Sequence, residues 1–251
     1  MITRRELRRY AAREKVSLGA LEKDYILTMV LRQVYADETL KTLLVLKGGT
    51  ALHKLYLHRR LSLDLDFTAL RPVALDEVKG ALEVAEIQGQ VKDYQVFHDA
   101  LTINQLGYLG PLGYPSSITV NVSFRERVIL PPVTHVLENL YFEPFPVTAM
   151  ELEEMVAEKL RAALMRKAPR DYFDLWLVLK EAALNASLVP ELVMAKLETV
   201  GLKYDPAMLW GELDVLERLW EEDLRELMPR VPEFSILVRE LREGLPALLR
   251  S

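Results

Sequence analysis

The stretch LLVLKGGTALHKLYLHRRLSLDLDFTA, residues 43 to 69, changes its periodicity twice. Residues 43–47 are an apolar run that reads as a short strand. Gly48 and Gly49 interrupt it, and residues 50–57 continue at helical spacing. Residues 63–68 then alternate with period two, and this second strand carries Asp64 and Asp66 inside its apolar run. On a strand the two carboxylates point to one face, roughly 7 Å apart. Two ionised acids on one face repel, and burying either is costly without a partner. A divalent cation resolves both problems, because magnesium takes hard oxygen ligands from one or two carboxylates plus phosphates. The plain alternative is a half-solvated strand with Leu63, Leu65 and Phe67 inward and the acids in water.

The glycine pair shifts the balance toward a site. Glycines let backbone approach a ligand closely, and the N–H groups of an opening helix attract phosphate. Thr50 adds a hydroxyl. No Gly-Lys-Ser/Thr follows, so this is not a Walker loop. Strand, Gly48-Gly49-Thr50, helix, then a strand with Asp64-x-Asp66 places phosphate-binding backbone beside metal-binding acids.

Outward from this stretch, residues 4–14 and 18–36 read as helices and 75–87 as another, ended by Gly89. Runs 92–97, 101–108 and 117–124 read as strands, the last with clean alternation. Pro131, Pro132, Pro144 and Pro146 crowd 131–147, the candidate domain boundary. Beyond it the pattern is helical. Thr148 with Glu151 reads as a capping box opening 149–167. Helix resumes at 170–184 after Pro169, Asp205-Pro206 is an N-cap followed by proline at the first helical position, and further helices reach about 225 and span 233–248. The expected fold is α+β: a mixed-sheet domain over 1–147 and a helical bundle over 148–251.

The chain has 251 residues, half of them apolar, a net charge of −5 and no cysteine. Disulfides and cysteine metal sites are excluded, and the expected location is cytoplasmic. No run of 18 apolar residues predicts a membrane span, and no apolar signal core follows the basic N-terminus. His53, His58, His98 and His135 show no zinc-ligand spacing. A local basic patch stands against the net charge: Arg5, Arg8 and Arg9 fall on one helix face, suited to solvent or to an RNA backbone. Downstream, Lys159 and Arg166 lie seven apart, and Asp171 and Asp174 follow. Cations at such spacing can neutralise charge in a transition state; otherwise Arg170 and Asp174, four apart, form a surface pair.

Four stretches together resemble the AbiEii (MenT-like) nucleotidyltransferase toxins, within the DNA polymerase β-like superfamily. They are Glu22-Lys23-Asp24-Tyr25; Leu46-Lys47-Gly48-Gly49-Thr50-Ala51-Leu52; Ser62-Leu63-Asp64-Leu65-Asp66-Phe67; and Glu158-Lys159-Leu160 through Arg166 to Arg170-Asp171-Tyr172-Phe173-Asp174-Leu175. The resemblance implies an enzyme that uses Mg²⁺, held by Asp64 and Asp66, and a nucleoside triphosphate, held by Lys47, Gly48, Gly49, Thr50, Lys54, Ser62 and Arg166. It implies catalytic roles for Asp64, Asp66, Lys159 and either Asp171 or Asp174. It also implies an RNA acceptor, the tRNA 3′ end, and action as the toxin of a type IV-like, abortive-infection toxin–antitoxin pair with a cognate antitoxin protein. Two departures stand out. Asn121 occupies the aligned position of a third carboxylate, and Lys54 replaces an arginine. The rival readings are a transferase for a small molecule or protein hydroxyl, and a non-catalytic nucleotide- or RNA-binding module.

Overall fold

The computed structural model describes residues 1–125 and 127–249. In chain order the first unit contains α1 (Arg4–Glu14), α2 (Leu18–Ala36), α3 (Leu40–Leu43), β1 (Leu44–Lys47) and α4 (Gly48–Ala51). A π-helical segment, Leu52–Leu57, follows directly. Then come β2 (Asp64–Ala69), α5 (Leu75–Leu82), β3 (Gln90–Val96), β4 (Ala100–Leu109), β5 (Pro115–Ser123), β6 (Val133–Leu137) and β7 (Phe145–Ala149). The second unit holds α6 (Leu152–Met165), α7 (Pro169–Glu181), α8 (Val189–Glu198), α9 (Ala207–Trp210), α10 (Leu213–Leu224) and α11 (Phe234–Leu248). The units divide between Met150 and Glu151. The α+β architecture expected from the sequence is the one observed.

The first unit is one seven-stranded mixed sheet in the order β3-β4-β5-β2-β1-β7-β6. β1 and β2 pair antiparallel, β2 and β5 parallel, and β1 and β7 parallel. All four residues of β1 are buried, as its unbroken apolar run requires. α2 is buried on several faces and packs against α1, α5 and β7. Tyr35 of α2 joins the strands: its hydroxyl donates to the Thr148 carbonyl at 2.7 Å and accepts from the Leu46 amide at 3.1 Å. Burial holds that phenol far above the usual tyrosine range.

Several expectations needed correction. The proline-rich stretch 131–147, the candidate boundary, holds two strands that the sequence did not announce: β6 and most of β7. Pro146 is tolerated although β7 lies between β1 and β6, because β7 meets β1 only at Ala149 and at Pro146 is paired with β6 alone. Thr148 lies inside β7, so the Thr148–Glu151 capping box does not form, and Glu151 caps α6 without a side-chain bond. The helix expected over 75–87 stops at Leu82, and a 3₁₀ turn at Ala85–Ile87 completes it. α9 is a single turn; Asp205 accepts from the Ala207 amide at 2.9 Å just ahead of it.

Candidate active site

β2 carries the carboxylates as the alternation requires. Leu65 and Phe67 are fully buried on one side, and Asp64 and Asp66 are half-buried on the other. Asp66 stands opposite Lys47 of β1 and opposite Asn121 of β5. The Asn121 amide donates to Asp66 Oδ1 at 3.0 Å. The sequence thus puts an amide, where a third acid was expected, directly beside the metal-type pair. Among the described residues no group of three or more His, Cys, Asp or Glu could hold a metal ion.

The glycine turn and the carboxylates occupy a shared space. Gly48 has φ of +70°, in the left-handed region. A Cβ there would collide with the Asp66 carboxylate. Glycine is therefore required twice at residue 48, by its backbone and by its neighbour. A Cβ on Gly49 would come within 3.1 Å of both the Arg60 guanidinium and the Ser62 hydroxyl. Arg60, a nearly buried cation against the turn, was not singled out in the sequence, because it sits in a loop with no periodicity to flag it. Thr50 is fully buried, and its hydroxyl donates to the Asp64 carbonyl at 2.6 Å. That bond fixes the turn to the head of β2.

Lys54 is engaged by α2. Its ammonium binds Asp24 at 2.6 Å and the Thr28 hydroxyl at 2.9 Å, both on α2. The Tyr141 hydroxyl also donates to Asp24, at 3.0 Å. Glu22, on the same helix, accepts the Leu112 amide at 2.7 Å and packs against Gly110, where a Cβ would come within 2.6 Å of it. Burial pushes Glu22 above the usual carboxylate range, and the Leu112 amide and Tyr108 hydroxyl partly offset the shift. The Glu22-x-Asp24 motif is thus a brace that ties α2 to the 108–112 segment and to Lys54.

In the second unit, α6 with its C-cap and α7 bring four of the expected residues together. Lys159 binds Asp171 at 2.9 Å and Asp174 at 2.8 Å, and both acids are essentially inaccessible to water. Arg166 adds a two-point contact to Asp171, Nε at 2.8 Å and Nη2 at 3.3 Å. Burial pushes Asp171 up, but Lys159 and Arg166 together outweigh it and hold the acid below the usual range. One turn separates the two acids along α7, which is why both reach a single ammonium. Beside them Lys196, also buried, binds Glu154 at 2.6 Å and Glu158 at 3.0 Å.

The model of the nucleotidyl transferase AbiEii toxin family, described as a type IV toxin–antitoxin system, matches residues 30–245. The chain belongs to this family. As an AbiEii protein it is a nucleotidyltransferase of the toxin class. Among solved structures it is similar to MenT4, a nucleotidyltransferase toxin of Mycobacterium tuberculosis H37Rv, with 22% identity over 100% of this chain and 91% of that one and a TM-score of 0.75. It is also similar to JHP933 from Helicobacter pylori, with 20% identity, 93% of each chain covered and a TM-score of 0.63. These likenesses show the shared fold. No curated protein matches the chain. No helix among the described residues is long and apolar enough to cross a membrane.

Proposed function

We propose that this AbiEii protein transfers a nucleotidyl group from a Mg²⁺-bound nucleoside triphosphate to the 3′ hydroxyl of an RNA, tRNA above all, and that a cognate antitoxin restrains it. The observation that carries the reading is the shared space of Gly48 and Asp66, which sets a phosphate-type turn against a metal-type carboxylate. The donor set suits magnesium: two half-buried carboxylates on one strand face, with an amide side chain beside them, are hard oxygen ligands that leave room for phosphate. Asp64 and Asp66 would hold the ion, which supplies Lewis acidity and charge neutralisation at the α-phosphorus.

The backbone of Gly48 and Gly49 would receive the triphosphate, with Lys47 beside it on β1. Thr50 and Asn121 would act as positioning residues, the first through the Asp64 carbonyl and the second through Asp66. The acceptor oxygen would attack the α-phosphorus, the bond to the bridging oxygen would break, pyrophosphate would leave and the hydroxyl proton would pass to water. The family resemblance adds Lys159 and Arg166 as cations for the phosphates. A carboxylate bonded to two cations and held below its usual range is a poor proton acceptor. Asp171 is therefore better suited to fixing Lys159 than to serving as a general base, and Asp174 holds the same ammonium.

The test is a labelling assay. Purified protein, Mg²⁺, total tRNA and each α-³²P nucleoside triphosphate in turn should give label in tRNA with a preferred base, and none with Asp64→Ala. Label on a small-molecule or protein hydroxyl instead would replace the acceptor. Nucleotide binding without pyrophosphate release would reduce the protein to a binding module.

A further inference from the structure

The net charge of the chain is −5, yet residues 4–15 hold six of its 32 lysines and arginines and only two of its 37 acids. Five of the six cations are arginines on α1, and Arg4, Arg5, Arg8, Arg9 and Arg13 are all exposed. They form two rows at four-residue spacing, Arg4–Arg8 and Arg5–Arg9–Arg13, with steps of about 6 Å along the axis. The two acids are already engaged. Glu6 closes the capping box with Thr3 at the start of α1, and Glu14 binds Arg13 at 2.8 Å. Among the described residues, Arg4, Arg5, Arg8 and Arg9 form no ion pair; Arg9 and Arg13 lie over the Tyr10 ring, at 5.3 and 5.8 Å from its centroid.

Like charges four apart destabilise a helix, and three such pairs occur here. The seating of α1 does not need them, because Leu7 and Ala11 hold the opposite face in a small core with Leu21 and Leu112. Leu61 packs on the same core, and it lies three residues ahead of Asp64, at most about 10 Å of chain. α1 also lies ahead of the segment matched by the family model, so family membership assigns it no role.

We propose that the outward face of α1 binds the phosphate backbone of the RNA acceptor, a proposal that rests on the RNA reading above. Arginine without lysine along the helix suits phosphate, because the guanidinium fork meets two oxygens at once. A membrane role does not suit it, since its apolar residues are spent on its own core. The contact is blind to sequence, so it sets affinity and register while the site around Asp64 acts on the RNA end.

The experiment compares wild type with an Arg5→Gln/Arg8→Gln/Arg9→Gln variant and its Lys counterpart. Binding of fluorescent tRNA is followed by anisotropy from 50 to 300 mM KCl without nucleotide, and label transfer is measured separately. The Gln variant should lose about two to three units of log–log salt slope and bind at least about tenfold more weakly at low salt. Its KM for RNA should rise while its KM for nucleotide holds. The Lys variant should keep most of the slope, and melting curves should show all three proteins folded. An unchanged slope and KM in the Gln variant overturn the proposal. So does a variant that binds RNA normally but loses an acidic protein partner. Binding needs no turnover, so a wild type that binds tRNA through α1 yet labels nothing would sink the transferase reading and leave this one standing.

Discussion

Asp64 and Asp66 on β2, and Asp171 and Asp174 on α7, are both pairs of acids close in sequence, and their surroundings differ in kind. The α7 pair is sealed from water and bonded to cations, with Lys159 shared between them. The β2 pair is half-exposed, and Asp66 takes a hydrogen bond from the neutral Asn121. A carboxylate that has its counter-charge within the protein is a structural element. Asp66, bonded to an amide and half-exposed, is the acid that the proposed reaction assigns to an incoming metal ion. On the proposed reading, the same residue type serves stability in one place and ligand binding in the other.

The largest effect should separate the two pairs outright. Asp66→Ala should lower nucleotidyl transfer by about 10³-fold or more while barely moving the melting midpoint. Asp174→Ala leaves Lys159 buried with one acid instead of two. It should cost about 3 kcal/mol of stability and lower the midpoint by about 10 °C. Transfer assays beside thermal melts decide it, and an inverted pattern would mean that the contrast between the pairs has been misread.

Gly48→Ala sharpens the β2 side. It combines a positive φ with a collision against Asp66. The expected result is a loss of about 10²-fold in transfer and about 1–3 kcal/mol of stability. Gly113, also at positive φ but with open space around it, is the control: its alanine variant should lose stability alone.

The smallest effect is in pH. Asp171 is depressed when folded, so its contribution is complete above the unfolded value of about 4 and is lost as pH falls through the folded value. The stability deficit of Asp171→Asn relative to wild type should be largest above about pH 5 and shrink toward pH 3. Denaturant melts at five pH values would show it. A deficit constant across that range would mean that Asp171 contributes packing and not charge.

Much of this was legible in the residues, for reasons that can be named. α1 has strong periodicity, both α1 and α2 open on a capping threonine or serine, and their limits match the reading. The alternation of 63–68 put both acids on one face because strand period is a local property. What was hidden depends on contacts distant in sequence. Lys54 turns to Asp24, 30 residues earlier, and nothing near residue 54 records that. β6 and β7 were obscured because proline usually marks a break, and the tolerance of Pro146 where β7 pairs on one side only is a property of the finished sheet. Thr148 and Glu151 have capping-box spacing, but pairing with β6 claimed Thr148 first.

The strand order has a consequence for how this protein fails. β1 and β2, which carry Lys47 and the two acids, lie inside the sheet, with three strands on one side and two on the other. Edge strands fray first, so β3 and β6 can exchange their amide hydrogens through small local openings, while the amides of β1 and β2 should exchange only when the unit unfolds. Heat, a truncated edge or a loosened loop would thus erode the margins of the sheet long before it reached the carboxylates. A partly unfolded population of this toxin would still be armed.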